Sequence, residues 1–274
     1  MKNQSELLKN LSADLTHISD CLTAGAKAEL DLTPKPGLVD AFDSGSHDDL
    51  SYAGMLLSVS LLPQYYQELA QEAINGADVA GLRRTGLEAE KRMIDICGSN
   101  AHKGYIFLSG LVLIACLSGG NLEDEIAKTA RKFFAENLPE SNGETARKTY
   151  STGGIITECL NGMPSVFKHA LPAMEDEYKK NGCTKRTRFA GLAEIMQTAE
   201  DTTALHRCGA KGLKIIKEDG KELAERLISD THVEWLQKRN RFYKEIRLTM
   251  GGAADLLAIG CSVMLLNDSI EEFS

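Results

Sequence analysis

Gly98-Ser99-Asn100-Ala101-His102-Lys103-Gly104 places two glycines, an amide, an imidazole and an ammonium directly before the apolar run Tyr105 to Leu117. That composition suits a helix mouth built to receive an anion. Glycines let the backbone come close, free N–H groups and the helix dipole favour negative charge, and Lys103 adds a full positive charge. The spacing is not that of a P-loop, which needs Gly-x-x-x-x-Gly-Lys-Ser/Thr. Other polar clusters share its style. Thr33-Pro34-Lys35-Pro36-Gly37-Leu38-Val39-Asp40 presents Lys35 on a turn stiffened by two prolines, with Gly37 allowing close approach; it reads equally as a helix stop. Asp43-Ser44-Gly45-Ser46-His47-Asp48-Asp49 gathers three carboxylates and an imidazole. Such donors suit a hard cation such as Mg²⁺, although one Asp there is enough to cap a following helix.

Three further clusters complete the set. Arg83, Gly86, Glu90 and Met93 share one helical face. Glycine inside a helix costs about 1 kcal/mol against Ala, so close packing or a ligand would explain Gly86; a solvated Arg/Glu face is the alternative. Asp201-Thr202-Thr203-Ala204-Leu205-His206-Arg207-Cys208-Gly209-Ala210-Lys211-Gly212 combines one carboxylate, one imidazole, two cations and two glycines. Met250-Gly251-Gly252-Ala253-Ala254-Asp255 opens the last apolar helix, where Asp255 also suits the helix dipole. Cations at Lys35, Lys103 and Arg207 match phosphate. Carboxylates such as those of Asp43, Asp48 and Asp49 suit a divalent metal. Together they indicate an enzyme of metal–nucleotide or metal–polyphosphate chemistry.

The elements that must carry these clusters are helical. Leu7, Leu8, Leu11, Leu15, Ile18 and Leu22 recur at three- and four-residue steps, as do Ile126, Ala130, Phe133 and Phe134. Alternating β-branched runs between tight turns are hard to find. The pattern predicts helices over 3–31, 49–71, 77–97, 104–118, 122–138, 142–160, 163–179, 185–198, 209–217, 220–229 and 252–267, with 231–249 ambiguous but closest to helix. No long linker or repeat interrupts it. The expectation is an all-α fold, a single compact multi-helix domain over 1–274 whose polar helix ends line one pocket.

Composition narrows the partners. A net charge of −8 offers no broad basic surface for nucleic acid. Seven scattered cysteines, none spaced Cys-x-x-Cys, read as reduced, buried small hydrophobes rather than a zinc or disulfide framework. The N-terminus carries acids and does not read as a signal peptide, and the longest apolar run is too short to cross a bilayer. The expected location is the cytoplasm, with no membrane and no nucleic acid among the partners.

The clusters, in this order, resemble the triphosphoribosyl-dephospho-CoA synthase family, which makes the prosthetic-group precursor of citrate lyase and malonate decarboxylase. The matching pieces are Leu32 to Asp40, Gly45-Ser-His-Asp-Asp49, Arg83-x-x-Gly-x-x-Ala-Glu90-x-x-Met93, Asn100-Ala-His-Lys-Gly-Tyr-Ile-Phe107, Asp201-Thr-Thr-Ala-Leu-His-Arg207 and Gly251-Gly-Ala-Ala-Asp-Leu-Leu-Ala258. There are departures from the family pattern. Ala101 and Thr203 stand where Thr and Asn are usual, Cys208 replaces a Gly, Ile156 replaces an Arg, and Thr249-Met250-Gly251-Gly252-Ala253 replaces Ser-Pro-Gly-Gly-Ser. Loss of the cation at Ile156 could remove a phosphate contact.

The resemblance implies a glycosyl transfer between ATP and 3'-dephospho-CoA. The 2'-hydroxyl of dephospho-CoA attacks the anomeric carbon of ATP, adenine leaves, and the triphosphate is retained. Mg²⁺ on the triphosphate would be held among Asp43, Asp48, Asp49, Asp201 and Asp255. Lys35, Gly37, Arg83, Asn100, Lys103, Gly104, Arg207, Gly251 and Gly252 would bind substrate and phosphate. Glu90, His102 and His206 are the acid–base candidates, unranked by sequence. An acyl carrier protein pathway would lie downstream. Two other readings stay open: a metal-dependent hydrolase of nucleotides or ADP-ribose-type conjugates, and a catalytically silent nucleotide or CoA-derivative binding protein. The oligomeric state is not legible.

Overall fold

The computed structural model describes residues 2–135 and 153–273, and within them every regular element is helical. In chain order these are α1 Lys2–Asp31, α2 Tyr52–Ser60, α3 Leu62–Ile74, α4 Val79–Cys97, α5 Lys103–Ser118, α6 Leu122–Ala135 and α7 Gly154–Leu160. A π-helical turn, Ser165–Ala170, leads into α8 Leu171–Asn181, followed by α9 Thr184–Thr198, α10 Thr202–Ile228, α11 His232–Glu245 and α12 Gly251–Leu266. The all-α expectation holds.

The centre of the molecule is α12. Beyond Asp255 it carries no charge, and Leu256 through Leu265 are buried on every side, as a helix without a polar face must be. It packs along α1 through a close approach at Gly25, where a Cβ would lie 2.0 Å from Ser262 Oγ and 2.6 Å from the Ala258 carbonyl. The equally apolar α5 joins them. Tyr105, on its first turn, donates to the Leu22 carbonyl of α1 and lies 3.0 Å from Ser262 Oγ of α12. These three helices fix the α5 and α12 N-termini side by side. The pair α9 and α10 also packs on α12.

Several helix boundaries differ from the periodicity. The predicted 49–71 helix is two: Pro63 in the first turn of α3 cannot donate to the preceding turn, and the chain breaks at Leu61. The predicted 209–217 and 220–229 helices belong to one element that starts at Thr202 behind its cap Asp201, with the break at Gly209 (φ 64°, ψ −164°) rather than at Asp219-Gly220. The 231–249 stretch is helical as far as Glu245. Residues 136–152, which include the end of the predicted 122–138 helix and the start of the 142–160 one, lie outside the described residues. Among the described residues no single helix is long and apolar enough to cross a membrane; α5 and α6 reach that length only as a pair, and they meet at a 116° bend.

Candidate active site

Three helix N-termini, those of α5, α10 and α12, open into one cavity of about 720 Å³. That is the size of an ordinary small-molecule site. Each mouth has a local cause. Gly98 (φ 73°) adopts the left-handed conformation that ends α4, so its role is to stop a helix rather than to approach a ligand. The chain then turns through Asn100 and Ala101 to start α5 at Lys103. Gly104 sits where a Cβ would lie 1.9 Å from Asp255 Oδ2, so only glycine lets the mouths of α5 and α12 meet. At the α10 mouth the buried Asp201 accepts from the N–H groups of Thr203 and Ala204 (2.9 Å each), and across the gap from Ala253 N of α12 (2.8 Å). One carboxylate thus caps two helices, and Gly252, whose Cβ would stand 3.1 Å from Asp201 Oδ2, makes room for it.

The floor is acidic. Asp255 and Glu29 both line the cavity. Burial raises the Asp255 carboxyl well above the usual range, with Glu29 and Asp201 adding to the effect, while Tyr105 N–H opposes it. Burial likewise raises Glu29, against the pull of Lys35, whose ammonium donates to the Glu29 carboxylate and, at 2.6 Å, to its carbonyl. Lys35 is itself buried, so it acts beneath the cavity, balancing Glu29, rather than on its wall.

His102 lines the cavity as the residue preceding α5, and it is only 4% exposed. Its Nδ1 lies 2.5 Å from Ser58 Oγ of α2, and its Nε2 is buried with no protein partner. Burial, with Lys35 nearby, pushes its pKa down to about 4. Beside it Asn100 donates to Glu90 Oε2 (3.0 Å) and leaves a buried Oδ1 unpartnered. Lys103 Nζ stands 3.6 Å from the same Glu90 oxygen, largely exposed at the rim. Glu90 therefore orients two wall residues from behind.

On the opposite rim Arg207 donates to the Ser46 carbonyl (2.7 Å), beside His47 and Asp49. Burial and Arg207 lower the His47 pKa, and its Nε2 lies 3.0 Å from Thr249 Oγ1. Gly251, Gly252, Thr202, Thr203 and Ala101 are also on the wall. Other residues of the sequence reading stand elsewhere. Asp43 pairs with Lys244 at 2.7 Å and Asp48 with Arg247, both outside the cavity lining. His206 points to solvent from α10. Gly37 (φ 68°) packs under Leu248, where a Cβ would lie 2.3 Å from its carbonyl. Arg83 donates to the Phe133 carbonyl, and Gly86 faces open space, so packing does not demand glycine there. Ile155, not Ile156, reaches the cavity.

Among the described residues no three His, Cys, Asp or Glu side chains converge on one point. The donor set nevertheless fits Mg²⁺ carried by a polyphosphate, which needs only one or two carboxylates besides phosphate and water. Asp255 is the floor carboxylate that would take such an ion, Glu29 being paired with Lys35, and its repulsion by Glu29 is what a cation would relieve. Asp201 is committed to backbone N–H groups. Glu29 on the wall and Ser58 behind His102 escape the sequence reading. Glu29 leaves a trace, since it sits on the apolar stripe of α1, three residues after Ala26 and seven after Leu22. Ser58 leaves none.

A family model described as ATP:dephospho-CoA triphosphoribosyl transferase matches residues 15–273. A protein of Azotobacter vinelandii, named "Probable 2-(5''-triphosphoribosyl)-3'-dephosphocoenzyme-A synthase", is 32% identical over 84% of this chain and 85% of its own. Relatives of the same name from Photobacterium profundum and Stutzerimonas stutzeri are each 30% identical over 88% of this chain, and over 84% and 88% of their own. No solved structure matches the chain significantly.

Proposed function

The chain belongs to the ATP:dephospho-CoA triphosphoribosyl transferase family and is an enzyme of the transferase class; on that premise we propose that it joins ATP to 3'-dephospho-CoA within the cavity at the α5, α10 and α12 N-termini. The convergence of those N-termini on a floor of paired carboxylates carries this reading, because it offers one place for a triphosphate, its cation and a developing positive charge. The triphosphate lies against Thr202, Thr203, Gly251 and Gly252, with Lys103 and Arg207 at the rims neutralising its outer oxygens. Asp255 would hold Mg²⁺, which when bound offsets the remaining phosphate charge. The apolar wall of Leu38, Val39, Leu50 and Met55 keeps water from competing with the acceptor hydroxyl.

In the transfer, the acceptor 2'-oxygen forms a bond to the ribose anomeric carbon as the bond to adenine breaks, and adenine leaves with the electron pair. The ribose passes through oxocarbenium character, and the Glu29 carboxylate lies on the cavity floor to stabilise it. No phosphorus–oxygen bond is cut, so the product keeps all three phosphates. That product is the precursor of the prosthetic group of citrate lyase or malonate decarboxylase, bound for an acyl carrier protein, and the enzyme works in the cytoplasm. Steady-state kinetics of adenine release test the site. Lys103→Ala and Arg207→Ala are each expected to raise the KM for ATP about ten-fold, the loss of one charge-assisted phosphate contact. If Lys103→Ala and His102→Ala both keep wild-type adenine release, the site is wrongly placed.

A further inference from the structure

The Ser58 hydroxyl has one proton, and it is already committed. Ser58 Oγ donates to the Met55 carbonyl at 2.7 Å, within the same turn of α2. With the hydroxyl proton on that carbonyl, oxygen is the acceptor in the contact with His102 and Nδ1 of the imidazole carries the hydrogen. A neutral imidazole with its proton on Nδ1 has a bare lone pair on Nε2. That Nε2 lies on the opposite side of the ring from Ser58, is buried, and is the acceptor no protein group uses. His102 itself is on the wall of the cavity, one residue before Lys103. Both Ser58 (0% exposed) and His102 are shut off from bulk water, which would otherwise scramble the two tautomers.

Resting on the transfer reading above, we propose that His102 Nε2 takes the proton of the acceptor 2'-hydroxyl, and that Ser58 is the positioning residue that holds this nitrogen bare. The hydroxyl proton passes to Nε2 while the oxygen forms its bond to the anomeric carbon and the carbon–adenine bond breaks. The departing adenine takes a proton from water, and His102 gives its own up to water that enters as the product leaves, closing the balance. The neutral state this needs is maintained at pH 7, since burial and Lys35 disfavour the imidazolium. Of the three acid–base candidates, Glu90 is engaged by Asn100 and Lys103 behind the wall and His206 faces solvent, which leaves His102.

Nitrogen-15 NMR of the full chain labelled in histidine tests the tautomer directly, with His102→Gln identifying the signal by its loss. The expected wild-type state at pH 7 has the proton on Nδ1 and a lone-pair shift for Nε2. Ser58→Ala should move hydrogen to Nε2 and lower kcat ten- to hundred-fold, with the KM values for ATP and dephospho-CoA within two-fold of wild type. A wild-type signal protonated at Nε2 overturns the proposal, whether or not Ser58→Ala folds. So does Ser58→Ala with a shifted tautomer and unchanged kcat. If the wild type instead shows the Nδ1 proton but makes no product from ATP and dephospho-CoA, the transfer reading fails and the proton role falls with it, while the Ser58–His102 lock stands.

Discussion

At His102, burial lowers the pKa from 6.5 to about 4, and the sign of the consequence can be worked out. The unfolded chain binds a proton as pH falls below 6.5, whereas the folded chain does not until near 4. The neutral ring therefore contributes stability above 6.5 that is lost as pH drops through that window. At pH 4.5 the loss relative to pH 7 is about 2 kcal/mol, from roughly 1.4 kcal/mol per pKa unit. Urea unfolding at the two pH values should show His102→Gln losing less stability than wild type by about that amount; equal losses would contradict the buried neutral ring. The same residue shows what the sequence makes legible. His102, Lys103 and Gly104 are contiguous, so their joint chemistry is readable without a fold. Glu29 and Ser58 reach the site only through helix packing over 73 and 44 residues of chain from His102, and their types alone announce nothing.

Among the elements, the cap at Asp201 joins α10 to α12, so its loss should be felt at both. Asp201→Ala leaves three N–H groups without their acceptor and should cost about 2–3 kcal/mol in denaturant unfolding, more than a single helix cap. A cost below 1 kcal/mol would show that the two mouths do not depend on it. The opposite sign is expected on α4. Gly86 meets nothing within 4 Å of an added Cβ, so Gly86→Ala should stabilise by about 0.5–1 kcal/mol, read as a rise in Tm. Helical periodicity finds most of these elements because each buries an apolar stripe. It misplaces breaks that depend on a single residue: Pro63 splits a segment whose apolar residues recur on both sides of it, while Gly209 bends a helix whose periodicity survives on both sides. The glycine that the pattern associates with a ligand, Gly86, has no packing reason, whereas Gly104 and Gly25 are required by contacts from distant helices.

For the whole molecule, the proposed transfer brings triphosphate, cation and both ribose units to one cavity, whose carboxylate floor, Glu29 and Asp255, is costly to ionise. Activity should accordingly vanish with a chelator and return with Mg²⁺, and Asp255→Asn should raise the Mg²⁺ needed for half-maximal rate; full activity in chelator would contradict the role given to that floor. Family membership was legible because six polar clusters keep their order along the chain, even though Asp43, Asp48 and His206 stand off the cavity in the fold. The most direct measurement is of what leaves and what is made when the purified chain meets Mg-ATP with and without 3'-dephospho-CoA. Adenine release is expected to depend on dephospho-CoA and to be matched mole for mole by a product whose mass is ATP plus dephospho-CoA less adenine. Adenine or phosphate released at the same rate without the acceptor, or tight binding of both substrates with no product, would contradict the proposed transfer.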